Sequence, residues 1–526
     1  DRILPHVTVQ GNIVEIAVLL GHDPVPDGFE LLNKTKSGRT GNLNEMGVPE
    51  AKCRLAVRRG FAEPAIAEVG VVLNPGVLEQ VPDGWELLAR TPSGQPAERI
   101  ELPKASRWRF TLNNPVPAEV RVWLNIGAVR ADQFSEIKQL TAKATERGLN
   151  VKRFEAGSVM GLSGYTLDTR QIILAVGPFD NASSAKKSVA SLTEHFGRDV
   201  TVFTELLKPA SGEIIATEIR SGIRVSTPDV LWVEGLKDSP VFFDRLVWGQ
   251  GTPKSGTEAR SYNGKIYITV DQSGRLAVVN VLSAERLLEG VVPSELYTSA
   301  PLNALKAQAV AARGQLLAKI GTRHLADPYL LCAETHCQVY SGRARLNKRT
   351  SKAVIKTRGE LLFDKEGLVD TTYSSTCGGH SESSHLVWGG RVKSAHPGFR
   401  DQLDSPTSTI PTQSIKEFVT SSPESFCKKS GEAARTYRWK KKVRGTKIAK
   451  NVKRFKDIGA ITSFEVASRG KSGRALSVQY TGLKGTVLIE GEYTNRKVLG
   501  HLRSGLWIKS PSRTAEGKPP AYWNFI

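Results

Sequence analysis

Short apolar runs separated by turn residues are the main pattern in the first hundred positions. Residues 13–20 and 69–73 are such runs, and each precedes a Val-Pro-Asp-Gly segment that continues as an aromatic residue and Glu-Leu-Leu, at 25–32 and 81–88. Repeated strand-like runs between Pro, Asp and Gly turns predict an all-β unit with internal symmetry. We place this β-rich repeat domain at residues 1–112.

The segment 115–208 alternates between the two-residue period of strands and the 3.6-residue period of helices. The first helical pattern ends at Gly148, as is typical of a helix C-terminus. The predicted order β-α-β-β-α-β is that of a split βαβ sandwich, an α+β fold. The predicted strands are 120–129, 151–159, 171–176 and 200–206, and the predicted helices are 131–148 and 181–197.

Strand and helix patterns mix in one long stretch from residue 213 to residue 511. This stretch predicts a C-terminal mixed α/β domain. Residues 512–526 are rich in Pro, Gly and polar residues and are predicted to be a tail. The predicted fold class is therefore multidomain, with an all-β repeat unit, a central α+β domain and a mixed α/β domain.

The composition excludes some classes of protein and leaves others open. With 526 residues the chain is too long for one hydrophobic core, and no run approaches the roughly 18 apolar residues of a membrane span. Lys and Arg total 73 against 52 Asp and Glu, a net charge of +21. This charge favours polyanionic partners, such as nucleic acid or a carboxylate-rich cell-wall polymer, and it also fits a role in solubility alone. No helix-turn-helix, finger or RNP pattern supports a nucleic-acid partner. A removed signal peptide or lipid anchor would not be visible in a sequence that starts at Asp1.

One glutamate lies in an apolar segment. A strand leads into a short helix that we expect to end near Gly290, and the apolar residues 291–293 then precede Glu295. An apolar environment favours the protonated form of a carboxyl group, which a general acid needs to protonate a glycosidic oxygen. Two other roles fit the same pattern, namely capping of the helix predicted at 302–320 and an ion pair with Arg313.

Two histidines and two cysteines lie close together, at His324, Cys332, His336 and Cys337. Two imidazoles and two thiolates suit tetrahedral Zn²⁺. Four protein ligands leave no position for an activated water, so the predicted zinc is structural and fixes the segment that follows. The alternative is a set of reduced thiols and histidines without a metal.

The remaining cysteines form no recognisable framework. The chain has five cysteines, and an odd number at uneven spacing does not predict a set of disulfides. Cys377 and His380 are close enough in sequence to be a nucleophile and its base. No third residue that would orient them is evident, so we do not favour this role. Cys53 and Cys427 lie outside any motif and are expected to be buried or inert.

Separate blocks in the second half of the chain form an ordered set of motifs. They are residues 289–295, 304–313, 336–342, 353–362, 373–388, 472–474 and 499–504. In this order they are similar to the signature of the SpoIID/LytB family of lytic transglycosylases. The resemblance implies that Glu295 is the acid/base that breaks the bond between N-acetylmuramic acid (MurNAc) and N-acetylglucosamine (GlcNAc), leaving a 1,6-anhydro end. Zinc-bearing members of the family have a similar set of two His and two Cys.

The same blocks supply candidate substrate-binding residues. A transglycosylase needs one carboxylate rather than the pair used by most glycosidases, and Asp370 and Glu382 are candidates for a second acid. The family also includes amidase enhancers, which bind the wall and stimulate a separate amidase, so a non-catalytic role stays open. A zinc hydrolase acting on the stem peptide would need an open metal position. The substrate-binding candidates are Lys306, Gln308, Arg313, Gln338, Tyr340, Tyr373, Ser374, Ser375, His380 and Glu382.

The central and N-terminal segments resemble other families. Residues 172–179, the helix around Ala185 and the strand at 200–202 resemble SPOR domains, which bind peptidoglycan glycan strands that lack stem peptides. The alternative is a ferredoxin-like domain with another partner. The N-terminal repeats, with Gly-Asn-Leu-Asn at 41–44, resemble β-prism repeats, and a duplicated β-sandwich or barrel is the alternative.

Two separate resemblances therefore point to peptidoglycan. They predict a cell-envelope protein, periplasmic or extracellular, with glycan strands as its partner and a peptidoglycan amidase as a further candidate partner. The process it serves, such as sporulation or cell division, stays open.

Overall fold

The computed structural model describes most of the chain after residue 97. Before that point it describes the strands β1 (Asn12–Leu20), β2 (Glu30–Leu32), β3 (Cys53–Gly60) and β4 (Glu68–Val71). Later residues outside the description are 103–105, 131–132, 158, 163–164, 197, 199, 229, 236–238, 249–255, 365–366, 389–391, 403–408, 411–413 and 511–518.

The described N-terminal strands belong to antiparallel sheets. Strands β1 and β2 both pair with β3. The repeated segment at 81–88 and residues 41–44 lie outside the described residues. The internal symmetry and the β-prism resemblance therefore stay predictions.

The chain forms two compact units, residues 1–192 with 200–372, and residues 193–199 with 373–526. The predicted C-terminal domain at 213–511 thus contributes to both units. After residue 97, the first unit begins with β5 (Glu98–Leu102) and β6 (Trp108–Val116).

A four-stranded antiparallel sheet with two helices follows β6. The sheet order is β12-β7-β11-β8. The order of elements equals the predicted order, except that the pattern did not predict a hairpin, β9–β10, between β8 and β11. Leu124, Ile126 and Leu174 are fully buried in this domain, and Ile137 and Leu140 form the buried face of its first helix. The elements are β7 (Glu119–Arg130), α1 (Phe134–Thr145), β8 (Val151–Ala156), β9 (Val159–Leu162), β10 (Tyr165–Asp168), β11 (Gln171–Phe179), α2 (Ala182–Phe196) and β12 (Thr201–Lys208).

Strands that precede and follow this domain in the sequence form a second β region, the β framework. Its further strands are β13 (Ser211–Glu218), β14 (Arg224–Pro228), β15 (Val230–Gly235), β16 (Val241–Trp248), β17 (Gly256–Tyr262), β18 (Lys265–Val270) and β19 (Leu276–Val281). Strand β13 pairs with β6, and β15 pairs with β5. The domain boundaries predicted at residues 112 and 213 therefore differ from the structure, because strands on either side of them share sheets. Buried Ile214, Leu231 and Ile266 form part of the framework core.

Three helices complete the first unit: α3 (Ala284–Glu295), α4 (Leu302–Lys319) and α5 (Lys348–Lys356), followed by the short strands β20 (Phe363–Asp364) and β21 (Gly367–Leu368). The helices share a core in which Ala309 and Ala312 of α4 are fully buried. Small side chains at these positions allow close helix packing, as the sequence predicts.

The prediction that the first of these helices ends near Gly290 is wrong, because α3 continues through Pro293 to Glu295. Gly290 is required for packing rather than for a helix end. A Cβ at this position would lie 2.5 Å from the Tyr340 ring.

The second unit contains small sheets and short helices. Its core includes Phe464, Tyr480, Trp507 and Phe525. The prediction that 512–526 is a tail is wrong for its last part, because Trp523 and Phe525 of β27 are buried. The elements are α6 (Ser384–Trp388), α7 (Ile415–Ser421), α8 (Phe426–Lys429), α9 (Gly431–Tyr437), β22 (Lys441–Arg444), α10 (Gly445–Val452), β23 (Ile461–Arg469), β24 (Ala475–Gly482), β25 (Gly485–Glu490), α11 (Glu492–Val498), β26 (Lys509–Ser510) and β27 (Tyr522–Phe525).

None of the helices in the described part of the chain has the length and apolar character needed to span a membrane.

Candidate functional site

The carboxyl group of Glu295 lies at the C-terminal end of α3 and is half-buried. Its Oε1 accepts a hydrogen bond from the backbone N–H of Val339, at 2.7 Å. Among the described residues, no other group binds this carboxyl group, so its second oxygen is left for another partner. The following helix, α4, begins at Leu302 with Pro301 at its N-cap position and has no side-chain cap, so Glu295 is not its cap.

The predicted ion pair between Glu295 and Arg313 is not formed. Arg313 is 1% exposed, and its Nε and Nη2 donate to the carboxylate of Glu285, at 2.7 and 2.8 Å. Its Nη1 donates to the carbonyl oxygen of Glu360, at 3.1 Å. The structure thus corrects the substrate-binding prediction for Arg313, whose buried guanidinium joins α3 to α4.

Gln338 and Tyr340 flank Val339 and are tied into the protein. The Gln338 amide donates to the carbonyl oxygen of Ala312 at 3.0 Å and to Oε1 of Gln315 at 3.1 Å. The Tyr340 hydroxyl donates to Oδ1 of Asn280 at 2.8 Å, and burial raises the pKa of this hydroxyl. Both side chains, predicted to contact substrate, are therefore placed to hold the Val339 N–H against Glu295.

Two predicted substrate residues of α4, Lys306 and Gln308, are half-buried. Among the described residues, nothing hydrogen-bonds to the buried Nε2 of Gln308. Buried polar groups without a partner are rare and often mark a ligand or water position. Gln308 is therefore the substrate-binding candidate on α4 whose amide N–H has no partner among the described residues and is available to a ligand.

A second acid candidate, Asp370, lies in the same unit as Glu295. Its Oδ1 is buried and, within the described residues, makes no hydrogen bond. Burial lowers the pKa of the nearby Lys319 ammonium, and the negative charge of Asp370 opposes this shift. Asp370 is therefore placed to balance the charge of Lys319.

The four predicted zinc ligands come together in the structure, with their ligand atoms within 4.8 Å of one another. The distance from His324 Nε2 is 3.3 Å to His336 Nδ1 and 3.4 Å to Cys337 Sγ. His336 Nδ1 lies 3.8 Å from Cys332 Sγ and 3.7 Å from Cys337 Sγ. Tetrahedral zinc with ordinary bond lengths separates two nitrogens by about 3.4 Å and a nitrogen from a sulfur by about 3.6 Å. The donor set and its spacing therefore fit zinc.

Groups around this cluster hold it in place. Asp327 Oδ2 lies 3.0 Å from Nδ1 of His324, which directs Nε2 of that ring to the centre of the cluster, as carboxylates behind metal-bound histidines do. The Lys319 ammonium donates to the carbonyl oxygen of Cys337, at 2.5 Å. Hydrogen bonds from Cys337 and the two imidazoles lower the pKa of the Cys332 thiol.

The other predicted substrate residues belong to the second unit. Ser374 and Ser375 are exposed and Tyr373 is half-buried. His380 is 1% exposed, with Nδ1 at 2.6 Å from the carbonyl oxygen of Ser381. This burial corrects the prediction that His380 contacts sugar.

Glu382 is also engaged within the second unit. Its carboxylate accepts hydrogen bonds from the N–H of Ser383 at 2.9 Å and from the hydroxyl of Ser472 at 2.5 Å. Both carboxylate oxygens thus bind protein groups, and the roles of Glu382 in substrate binding or as a second acid stay predictions.

Comparison with known proteins finds a family match for one segment of the first unit. Residues 272–363 match the family model of SpoIID, described as stage II sporulation protein. The chain carries a SpoIID-family domain. The matched residues of this SpoIID domain include Glu295, Val339 and all four members of the His/Cys cluster.

Two relatives are similar to part of this chain. An uncharacterized protein of Brachyspira hyodysenteriae is 31% identical over 187 residues, covering 35% of this chain and 47% of the relative. A Bacillus subtilis protein named amidase enhancer is 41% identical over 105 residues, covering 20% of this chain and 14% of the relative. The chain thus spans less than half the length of these relatives. Residues 391–526 match a family model described only as a domain of unknown function (DUF8618).

Sequence reasoning missed several residues that shape the SpoIID domain site. Asp327 follows His324 by three positions, and this His-x-x-Asp spacing was a usable signal. Val339 orients Glu295 through its backbone N–H. Glu285 binds Arg313, which lies on another helix. Neither contact leaves a signal in the sequence.

Proposed function

We propose that the SpoIID domain is a lytic transglycosylase that cleaves the MurNAc–GlcNAc bond of peptidoglycan, with Glu295 as its single acid/base. The observation that carries this proposal is the environment of the Glu295 carboxyl group. One oxygen is fixed by the Val339 N–H at 2.7 Å. The other oxygen has no hydrogen-bond partner in the described part of the chain and is available to exchange a proton with a substrate.

The reaction needs only this one carboxyl group. Glu295 donates its proton to the glycosidic oxygen, the bond from that oxygen to MurNAc C1 breaks, and GlcNAc leaves with a hydroxyl group. The Glu295 carboxylate then takes the proton of the MurNAc C6 hydroxyl, whose oxygen forms a bond to C1. The product has a 1,6-anhydro ring, Glu295 regains its proton, and no water is consumed.

The proposed zinc is structural and would be held by His324, Cys332, His336 and Cys337. Zinc when bound supplies a crosslink between these four side chains. The chain then runs directly from Cys337 to Val339, so the crosslink fixes the N–H that orients Glu295. Four protein ligands leave no open position for a hydrolytic water.

Other features of the first unit, together with the charge of the whole chain, support the proposal that peptidoglycan is the substrate. The sheet β12-β7-β11-β8 is formed by the segment whose sequence resembles SPOR domains, and we propose that it binds glycan strands lacking stem peptides. Its aromatic residues Trp123 and Phe154 pack with Leu325, which directly follows His324 of the His/Cys cluster. A net charge of +21 suits the carboxylates of peptidoglycan. We accordingly propose a periplasmic or extracellular location.

Mass spectrometry of digested glycan strands tests this proposal. The full chain, Glu295→Gln and the control Glu289→Gln are each incubated with denuded and with intact peptidoglycan. Glu289 lies on the same helix, with its carboxylate bound to the Ser351 hydroxyl at 3.0 Å. We expect anhydro-MurNAc ends from the parent and the control, and at least about 100-fold fewer from Glu295→Gln. Reducing ends instead would indicate a hydrolase and direct attention to Asp370.

A second candidate function is stimulation of a separate peptidoglycan amidase. The similarity to the Bacillus subtilis amidase enhancer favours it. In this case neither form of the chain cleaves glycan, and the parent and Glu295→Gln equally increase the release of stem peptides by an added amidase. Loss of stimulation in Glu295→Gln together with loss of glycan cleavage would instead assign both effects to the transglycosylase.

A further inference from the structure

Two cysteines of the second unit lie side by side. The Sγ atoms of Cys377 and Cys427 are 3.2 Å apart, although 50 positions separate them in the chain. Cys377 precedes a glycine pair, and Cys427 lies in α8. Both side chains are half-buried. Neither residue belongs to the 272–363 segment matched by the SpoIID family.

The backbone around both sulfurs is held by the same residue. Asp401 accepts a hydrogen bond from the N–H of Cys427, at 2.7 Å, through its carboxylate. Its own N–H donates to the carbonyl oxygen of Gly379, at 3.1 Å. Asp401 therefore ties the start of α8 to the turn that carries Cys377.

Two arginines fix that turn from its other side. Arg474 donates to the carbonyl oxygen of Cys377, at 2.7 Å, and Arg438 donates to that of Gly378, at 2.9 Å. Gly379 has a φ of 100°, and a Cβ there would lie 2.6 Å from the Tyr437 hydroxyl. The two sulfurs are thus neighbours because the backbone on both sides is fixed.

A disulfide fits this pair better than a metal does. Two thiolates on one tetrahedral zinc lie about 3.8 Å apart, farther than the 3.2 Å observed. Among the described residues, the only other candidate ligand in this group is Asp401, whose carboxylate already binds the Cys427 N–H. The pair contains no imidazole, in contrast to the cluster at 324–337.

We propose that Cys377 and Cys427 form a disulfide by exchange with a small-molecule disulfide. The Cys427 thiolate attacks one sulfur of the oxidant and releases its other half as a thiol. The Cys377 sulfur, on losing its proton, then attacks Sγ of Cys427 and releases the second half. The chain loses two protons and two electrons in total, which the oxidant takes up as it becomes two thiols.

Local hydrogen bonds favour this order of attack. The N–H of Cys377 points to the Cys427 sulfur at 3.4 Å. A hydrogen bond from Cys377 lowers the pKa of Cys427 to about 7. Cys427 is therefore the sulfur that is partly ionised near neutral pH, as the attacking group must be.

Peptide mapping tests the crosslink directly. The full chain is incubated with glutathione disulfide, its free thiols are blocked with N-ethylmaleimide, and it is digested with trypsin without reduction. The cysteines fall in separate peptides, Cys377 in 366–391 and Cys427 in 417–428, whereas Cys332 and Cys337 share 324–343. We expect peptides 366–391 and 417–428 to be linked, and to separate after reduction. Two unlinked, blocked peptides would overturn the proposal.

Thermal unfolding provides a second measurement that does not depend on any substitution. Closing a loop of this length should raise the unfolding temperature of the oxidised chain by on the order of 10 °C over the reduced chain. Cys427→Ser and Cys377→Ser should each behave as the reduced chain under both conditions. A second zinc ion that protects both thiols from N-ethylmaleimide would also overturn the disulfide. These outcomes are independent of glycan cleavage.

Discussion

Replacement of Arg313 by Met distinguishes a buried structural arginine from a substrate-binding one. The guanidinium is 1% exposed and makes two hydrogen bonds to Glu285 and one to the Glu360 carbonyl oxygen. Removing one partner of a buried ion pair costs about 3–5 kcal/mol, because the other charge stays buried without a partner. The Glu285 side chain is 17% exposed, so partial access to solvent favours the lower end, about 3 kcal/mol. With a urea m-value of about 3 kcal/mol/M, the unfolding midpoint should fall by about 1 M.

Urea unfolding followed by circular dichroism at neutral pH measures this effect. Lys306→Met on the same helix is the matched control, since Lys306 has no ion pair in the described part of the chain, and a change below about 0.5 kcal/mol is expected. Adding Glu285→Gln to Arg313→Met should recover part of the loss, because the unpaired carboxylate is then gone. An Arg313→Met chain with parental stability but weakened glycan binding would refute the structural role and restore the substrate role.

Three further perturbations test other parts of the molecule. Asp327→Asn should weaken zinc binding about 10–100-fold, since it removes the carboxylate behind His324; equal zinc affinity in a chelator competition would contradict this. Gly290→Ala should destabilise the first unit by about 1–3 kcal/mol in urea unfolding, because the new Cβ would meet the Tyr340 ring at 2.5 Å, and an unchanged midpoint would show that the ring can move away. Hydrogen bonds from a neighbouring serine and from backbone N–H groups lower the pKa of Glu218 from 4.5 to about 2, so its contribution to stability is present above about pH 4.5 and is lost as the pH falls toward 2. Glu218→Gln should reduce the fall in urea midpoint between pH 5 and pH 2, and parallel curves for the two chains would argue against that role.

The sequence predicts individual elements well where local periodicity decides them. Alternating apolar positions such as Leu124 and Ile126, both buried, predict β7, and the glycine at 148 follows the end of α1. Pairing between distant strands is not a local property. Nothing in the residues of β6 indicates that its partner is β13, beyond an intervening domain, and so the predicted domain boundaries differ from the structure.

The candidate site shows the same limit: the sequence indicates the chemistry of a residue but not its partner in the fold. The His/Cys cluster was predictable because few roles other than metal binding bring two imidazoles and two thiols so close in sequence. The role of Arg313 was not, since a polar residue on a small-residue helix fits a substrate contact and a buried ion pair equally. Only the position of Glu285, 28 residues earlier, decides between them. In the same way, only the burial of His380 in the folded chain argues against the sugar contact that the sequence suggested.

Consecutive residues link the proposed zinc to the proposed acid/base. Cys337 belongs to the His/Cys cluster, Gln338 binds α4, Val339 binds Glu295 and Tyr340 binds Asn280. Each anchor constrains the next, because neighbouring peptide units cannot rotate independently once their side chains are fixed. If the cluster loosens, the Val339 N–H loses its position before the Glu295 side chain itself is affected. Zinc removal should therefore lower stability and glycan cleavage together, whereas Glu295→Gln should lower cleavage alone. This contrast separates a structural metal from one that takes part in the chemistry.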